Sequence, residues 1–381
     1  MFPHPHEALP LPERPNIENY RKIAKSLVKS ARSGEVADLS EFARRQLVDH
    51  PTLTKAQFVI ARTYGFESWP KFARHLEALA RNSHVSRFEA AADAIANGDA
   101  TALGELLRAD RKLAHARSSR RHAATLLNYV AANGVEQYRQ KTPRNIVEIA
   151  RMLMDAGTQV NAEANLYGGG CATLELAATS VHPQRAGVQL ELLQYLLDQG
   201  ASLEKPSLLT ACLGNGQPRA AEFLAALGAR IDLPAAAGLG RLDAVRTLFG
   251  TGTAEQRRDA FCWACEYGRN SVVEFLLEKG ADLAAHRADG QTALHWAVIG
   301  GHPDTVKLLL RHNPPLDVRN VYGGTVVGQA LWSAAHGGDA QVYIEILDAL
   351  LSAGAKLPER CAPVNPRIDA WLAAARARSA E

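Results

Sequence analysis

Apolar residues recur at helical spacing along most of the chain, in short blocks separated by glycine, proline or asparagine. Over residues 16–82 this pattern predicts about four helices. Tyr20, Ala24, Leu27, Val28 and Ala31 form one apolar stripe, and Asp38 and Glu41 have the spacing of a capping box. Phe58, Ala61 and Tyr64 line a third helix that Gly65 ends; Ser68 is placed to cap a fourth bearing Trp69, Phe72 and Leu76. Beyond residue 82 the blocks shorten and pair. The first of a pair carries small residues such as Ala297, Ala334 and Ala335, which permit close approach. The second carries adjacent leucines that cover the first, and Gly157 and Gly280 stand where it must end in a left-handed turn.

The pairs repeat. Gly268 and Gly301, Phe275 and Leu308, and Gly290 and Gly323 are each 33 residues apart. The stretch Asp289-Gly290-Gln291-Thr292-Ala293-Leu294-His295-Trp296-Ala297 resembles the turn and T-P-L-H helix start of the ankyrin-repeat family, with Ala293 in place of proline. Glu274 to Asp282 is similar to that family's second helix and its terminating glycine. The resemblance implies an all-α solenoid of about eight helix-pair units over roughly 87–358, strongest at 257–320, behind a four-helix extension similar to those preceding bacterial ankyrin arrays. It further implies that His295 bonds the backbone of a neighbouring repeat, where other units carry Asn128 and Glu175.

Two units are lengthened between their helices, at 135–145 and 182–188. The expected organisation is a Pro-rich tail (1–15), a helical extension or cap (16–82), the repeat array (83–360) and a polar closing helix (361–381). Neither helix of a pair can bury its apolar face alone, so neighbours must stack.

Composition narrows the function classes. Net charge is +3, yet residues 1–145 carry 23 basic and 15 acidic groups, so an anionic partner would meet the first third. Five cysteines do not make a disulfide framework, and no run reaches the roughly 18 apolar residues a membrane span needs. A cytoplasmic monomer with reduced thiols is the expectation. Cys262 and Cys265 have redox or zinc spacing, but the repeat register puts both inside a helix and no second pair exists. His4 and His6 lie in the tail, and Gly168-Gly169-Gly170 matches the turn at Tyr322-Gly323-Gly324 rather than a phosphate loop. Without a nucleophile elbow, P-loop, zincin or dinucleotide signature, an enzyme is not expected, nor is a cofactor or a metal.

Three readings of function follow. The first is a protein-interaction module whose concave groove is lined by Asn133, Thr179, Ser180, Asn215, Glu266, Tyr267, Ile299 and His336, residues next to the first-helix glycines. The second is nucleic-acid binding. Gln57, Ala61 and Gly65 are spaced as in a helix-turn-helix, which would aim Lys71, Arg74 and His75 at DNA. The basic run Arg108, Arg111, Lys112, Arg117, Arg120 and Arg121 would add phosphate contacts. The third is a small-ligand or enzymatic pocket where the lengthened units bring together Tyr129, Tyr138, Arg139, Tyr167 and His182 with Asn133 and Thr179.

Overall fold

A computed structural model describes residues 8–12, 14–34, 40–81, 83–359 and 361–379; His4, His6 and Asp38 lie outside them. Among these residues there are 22 α-helices and no strand. The extension comprises α1 (Ile17–Ser33), α2 (Glu41–Leu47), α3 (Leu53–Thr63) and α4 (Trp69–Leu79), the four helices that periodicity predicts. Ser40 caps α2, accepting from the Ala43 N–H at 3.3 Å. Tyr20, Ala24, Val28, Ala61, Phe72 and Leu76 meet in one buried core, with Leu27, Ala31 and Trp69 partly buried at its edge. The Tyr20 ring packs edge-on to both Tyr64 and Phe72, at 5.2 and 5.0 Å.

Paired helices follow. They are α5 (His84–Asn97) with α6 (Ala100–Ala109), α7 (Leu126–Val130) with α8 (Ile146–Asp155), and α9 (Thr173–Ala178) with α11 (Gln189–Asp198), α10 (Val181–Arg185) being inserted. Then come α12 (Leu208–Gly214) and α13 (Pro218–Ala226), and the pairs α14 (Leu233–Gly238) with α15 (Leu242–Phe249) and α16 (Ala254–Glu266) with α17 (Asn270–Glu278). The last are α18 (Ala293–Ile299) with α19 (Pro303–Leu310) and α20 (Val326–Ala335) with α21 (Ala340–Ser352), before a closing α22 (Pro366–Ser379). The chain divides into two compact units, 1–205 with 215–223, and 206–214 with 224–381.

Within the second unit, first helices stack on first helices (α14, α16, α18, α20) and second on second (α15, α17, α19, α21). Ala236, Ala264, Ala297 and Ala330 are buried between them, and Val272, Leu276, Val306 and Leu309 cover them from the second layer. Ala334 is buried as expected, but Ala335 at the end of α20 is exposed. Gly157 and Gly280 adopt φ of 95° and 82°, the left-handed stop that the sequence predicts. The closing helix is less polar than expected, since α22 buries Ile368 and Leu372 in the core and bonds Trp371 Nε1 to Asp348 Oδ1 at 3.0 Å.

Local chemistry sets where first helices begin. Thr125 and Asn128, Thr253 and Gln256, and Thr292 and His295 form reciprocal capping boxes at α7, α16 and α18. Isolated bridges Arg117–Thr125, Ala164–Cys171 and His286–Thr292 close the turn in front of a first helix. Gly168, Gly169 and Gly170 therefore form a turn tip, each at positive φ.

Stacking distance is tightest at Gly300, where a Cβ would lie 2.0 Å from the Glu266 carbonyl oxygen. Gly300→Ala is expected to lose about 3 kcal/mol of stability in urea denaturation. Gly328→Ala, in α20 with nothing nearer than Thr325 Oγ1 at 3.8 Å, is expected to be neutral or stabilising by up to about 1 kcal/mol.

Candidate functional site

In the second unit three successive first helices each carry a tryptophan. Trp263, Trp296 and Trp332 come from the first helices α16, α18 and α20. Trp263 is buried, its ring 6.1 Å from that of Trp296 and stacked 6.2 Å from that of Tyr267. Arg287, from the turn before α18, holds its guanidinium 4.7 Å from the Trp263 ring centroid and 5.2 Å from that of Trp296. Trp332 is 58% exposed and stacks on His336 at 4.1 Å. Trp263, Trp296 and Arg287 thus bring aromatic area and a guanidinium together at α16 and α18, and Trp332 adds an exposed ring on the next first helix, α20.

The expected groove residues of this unit behave differently from one another. Ile299 is half-buried and His336 exposed. Tyr267 is committed internally, its hydroxyl donating to the Leu213 carbonyl at 2.5 Å. Burial pushes the Glu266 carboxyl up to about 7, against the Arg287 charge, and its Oε2 has no hydrogen-bond partner. His295 is buried, with Nδ1 2.9 Å from Thr292 Oγ1 and its ring meeting the Gly324 backbone of the following repeat. Cys262 and Cys265 are both buried in α16, where burial pushes the Cys262 thiol up to about 12. They are core residues there.

In the first unit the anticipated pocket separates into two sets. Tyr167 donates to Asn133 Oδ1 at 2.6 Å, and Asn133 Nδ2 donates to Leu176 O and to Thr179 Oγ1 at 3.1 and 3.0 Å. His182 sits half-buried on α10, without a ring hydrogen bond to this set among the described residues. Ser180 is buried and donates to the Ala132 carbonyl at 3.4 Å, so it does not face a groove; Asn215 is exposed.

The second set is an ion cluster inside the protein. Glu136 is fully buried, with Oε1 2.7 Å from Arg120 Nε, 3.1 Å from His122 Nε2 and 3.3 Å from the Tyr129 hydroxyl. Glu89, from α5, takes Arg120 NH1 at 3.1 Å and Arg139 NH1 at 2.7 Å; Arg139 Nε also reaches Asp93 at 2.7 Å. Tyr138 accepts from Arg120 NH2 at 3.2 Å, and the Arg139 guanidinium lies over the Tyr138 ring at 5.2 Å. Burial pushes the Glu136 carboxyl up, yet the charges of Arg120 and then His122 hold it well below the usual carboxylate range. Tyr129, Tyr138 and Arg139 thus serve the interior rather than a ligand pocket, because two arginines and two glutamates satisfy one another there. Arg120 likewise leaves the anion-binding set.

The helix-turn-helix reading is corrected at His75, which is 2% exposed, packs 4.7 Å from the Phe66 ring and bonds Ser119 Oγ through Nδ1 at 2.8 Å. Burial pulls its imidazole down to about 4. The α3–α4 hairpin is therefore docked against α5 and the 117–125 loop. Arg111, Lys112 and Arg121 are exposed, whereas Arg117 spends its guanidinium on the carbonyls of Ala123 and Glu163, at 2.9 and 2.6 Å. The residues that sequence reasoning missed are Trp263, Arg287, Trp296 and Trp332; tryptophan recurring in successive first helices was the available signal.

Two measurements probe these groups. Between about 4.5 and about 7 folded Glu266 keeps a proton that the unfolded chain releases, so its contribution to stability is present at low pH and falls as pH rises. Glu266→Gln is expected to remove up to about 3 kcal/mol of that pH dependence, read as flattening of urea midpoints between pH 4.5 and 7.5. Glu136→Gln leaves Arg120 short of a counter-charge and is expected to cost about 3–5 kcal/mol in urea unfolding of the first unit.

Comparison with known proteins places the repeats. The family signature described as "Ankyrin repeats (3 copies)" matches residues 208–320 and, overlapping, 261–360. The chain is similar to Inversin from Danio rerio, 42% identical over 66 residues, which is 16% of this chain and 6% of that protein. It is 35% identical over 68 residues to E3 ubiquitin-protein ligase hecd-1 from Caenorhabditis elegans and to E3 ubiquitin-protein ligase Ufd4 from Drosophila melanogaster, covering 18% of this chain and 2% of each of theirs. The chain thus spans a small fraction of the length of these relatives. Taken with the stacked helix pairs, capping boxes and turn geometry, the match makes residues 208–360 an array of ankyrin repeats.

Proposed function

We propose that this protein is a non-enzymatic protein-binding module that engages an extended segment of its partner along the first-helix edge of residues 254–336. One observation carries the reading. Trp332 is exposed and Trp296 half-buried on adjacent first helices of the repeat array, with Arg287 against the Trp296 ring. Tryptophan and arginine are the residues that dominate binding energy in protein interfaces, and an exposed tryptophan gives apolar area that a partner can cover. Exposed His336 stacks on Trp332, and half-buried Ile299 ends α18.

Tyr267 is a poor probe of this surface because its hydroxyl and ring both pack internally. Trp332→Ala is the better one. A phage-displayed peptide library selected on the full chain is expected to yield a shared motif, whose peptides bind the Trp332→Ala variant at least tenfold more weakly. The variant's melting temperature is expected to stay within a few degrees of wild type. Peptides that fail to converge, or that bind the variant equally, would refute this assignment.

A further inference from the structure

We propose that the cleft between α4 and the 117–125 loop binds a phosphate monoester group, held by Arg74, Arg121, Lys71 and Ser119. The cleft encloses about 420 Å³ and is lined by these four residues together with Glu67 and His75. It unites two stretches that the sequence shows only as separate basic clusters.

The loop is tied down where it meets the cleft. The Arg121 backbone N–H donates to the Gly65 carbonyl at 3.0 Å, and the Arg120 side chain is anchored in the buried ion cluster. His75, buried on α4, fixes Ser119 Oγ at 2.8 Å. A site held in place before its ligand arrives spends less of the binding energy on ordering.

The charge on this wall is unbalanced. The Arg121 guanidinium has neither a hydrogen bond nor an ion pair among the described residues. Arg74 makes a single long bond, from Nε to the Pro70 carbonyl at 3.4 Å, which leaves both terminal nitrogens to the cleft. Lys71 pairs with Glu67, the carboxylate of the cleft wall. Arg62 stands close enough that burial first, and then the Arg121 charge, depress its basicity. Two guanidinium forks and an ammonium suit the three terminal oxygens of a phosphate monoester better than a single-charged anion. The chemistry fits one phosphate rather than a nucleic-acid backbone, because Arg108 and Arg111 line a different groove, with Met152 and Asp155.

The test is calorimetric titration of the full chain with inorganic phosphate at 150 mM NaCl, alongside phenyl phosphate, a phosphoserine peptide and a single-stranded oligonucleotide. Saturable binding of inorganic phosphate is expected, reduced about tenfold by Arg121→Ala and by Arg74→Ala and unchanged by Arg111→Ala. Arg74 and Arg121 are exposed, so circular dichroism is expected to show both variants folded. Tighter binding of phenyl phosphate would identify a free metabolite as the source, and tighter binding of the peptide a phosphorylated protein; either supports the site. Absence of saturable phosphate binding would overturn it, as would equal losses in Arg111→Ala. Preferential binding of the oligonucleotide with a steep salt dependence, weakened alike by Arg111→Ala, would replace it with a nucleic-acid surface.

Discussion

Helices of five to fourteen residues carry the repeat pairs, and helices this short are marginal by themselves in water. Their stability has to come from stacking, and stacking demands a closely spaced first layer. That demand accounts for the alanines buried between α14, α16, α18 and α20, and for the absence of any side chain at Gly300. It also accounts for the caps. A helix of two turns has few intrahelical bonds relative to its unpaired ends, so Thr125, Thr253 and Thr292 satisfy a large share of what each helix leaves open.

The same constraint generates surface chemistry. Because first helices repeat in register, a residue type placed once can recur, and tryptophan does so 33 residues apart at Trp263 in α16 and Trp296 in α18; Trp332 in α20 stands three positions beyond that register, where α18 has Ile299. Whether each ring is core or surface depends on its neighbours. Trp263 is closed over by Arg287 and by the ring of Tyr267, while Trp332 at the later position remains open. A first-helix tryptophan is therefore packing in α16 and a candidate docking area in α20.

The lengthened unit of the first half follows a different logic. Its inserted turn, residues 137–139, brings Arg139 and Tyr138 beside α5, and Glu136 sits directly before it. Buried ions of this kind are costly unless matched, and here two guanidiniums oppose two carboxylates, with tyrosine and histidine taking further bonds. The cluster joins the loop at 117–125 to α5. That loop in turn meets the extension through Arg121 to Gly65 and Ser119 to His75. The Arg120 guanidinium also lies over the Phe66 ring at 5.3 Å, a further contact between that loop and the extension.

Sequence alone determined the local elements: four helices in the extension, paired helices with a 33-residue period, the terminating glycines at 157 and 280, and the burial of the C-x-x-C within a helix. These are set by spacing, by capping chemistry and by glycine's access to positive φ, all of which act over a few residues. Tertiary structure alone decided what the long side chains do. Arg120 and Arg121 are adjacent in sequence, yet one is sealed in an ion cluster and the other faces a cleft. Tyr267 and Ser180 look like groove residues by position but turn inward to bond carbonyls from other helices. A long polar side chain goes where its partner is, and those partners lie 16 to 54 residues away in the chain. No local pattern carries that information.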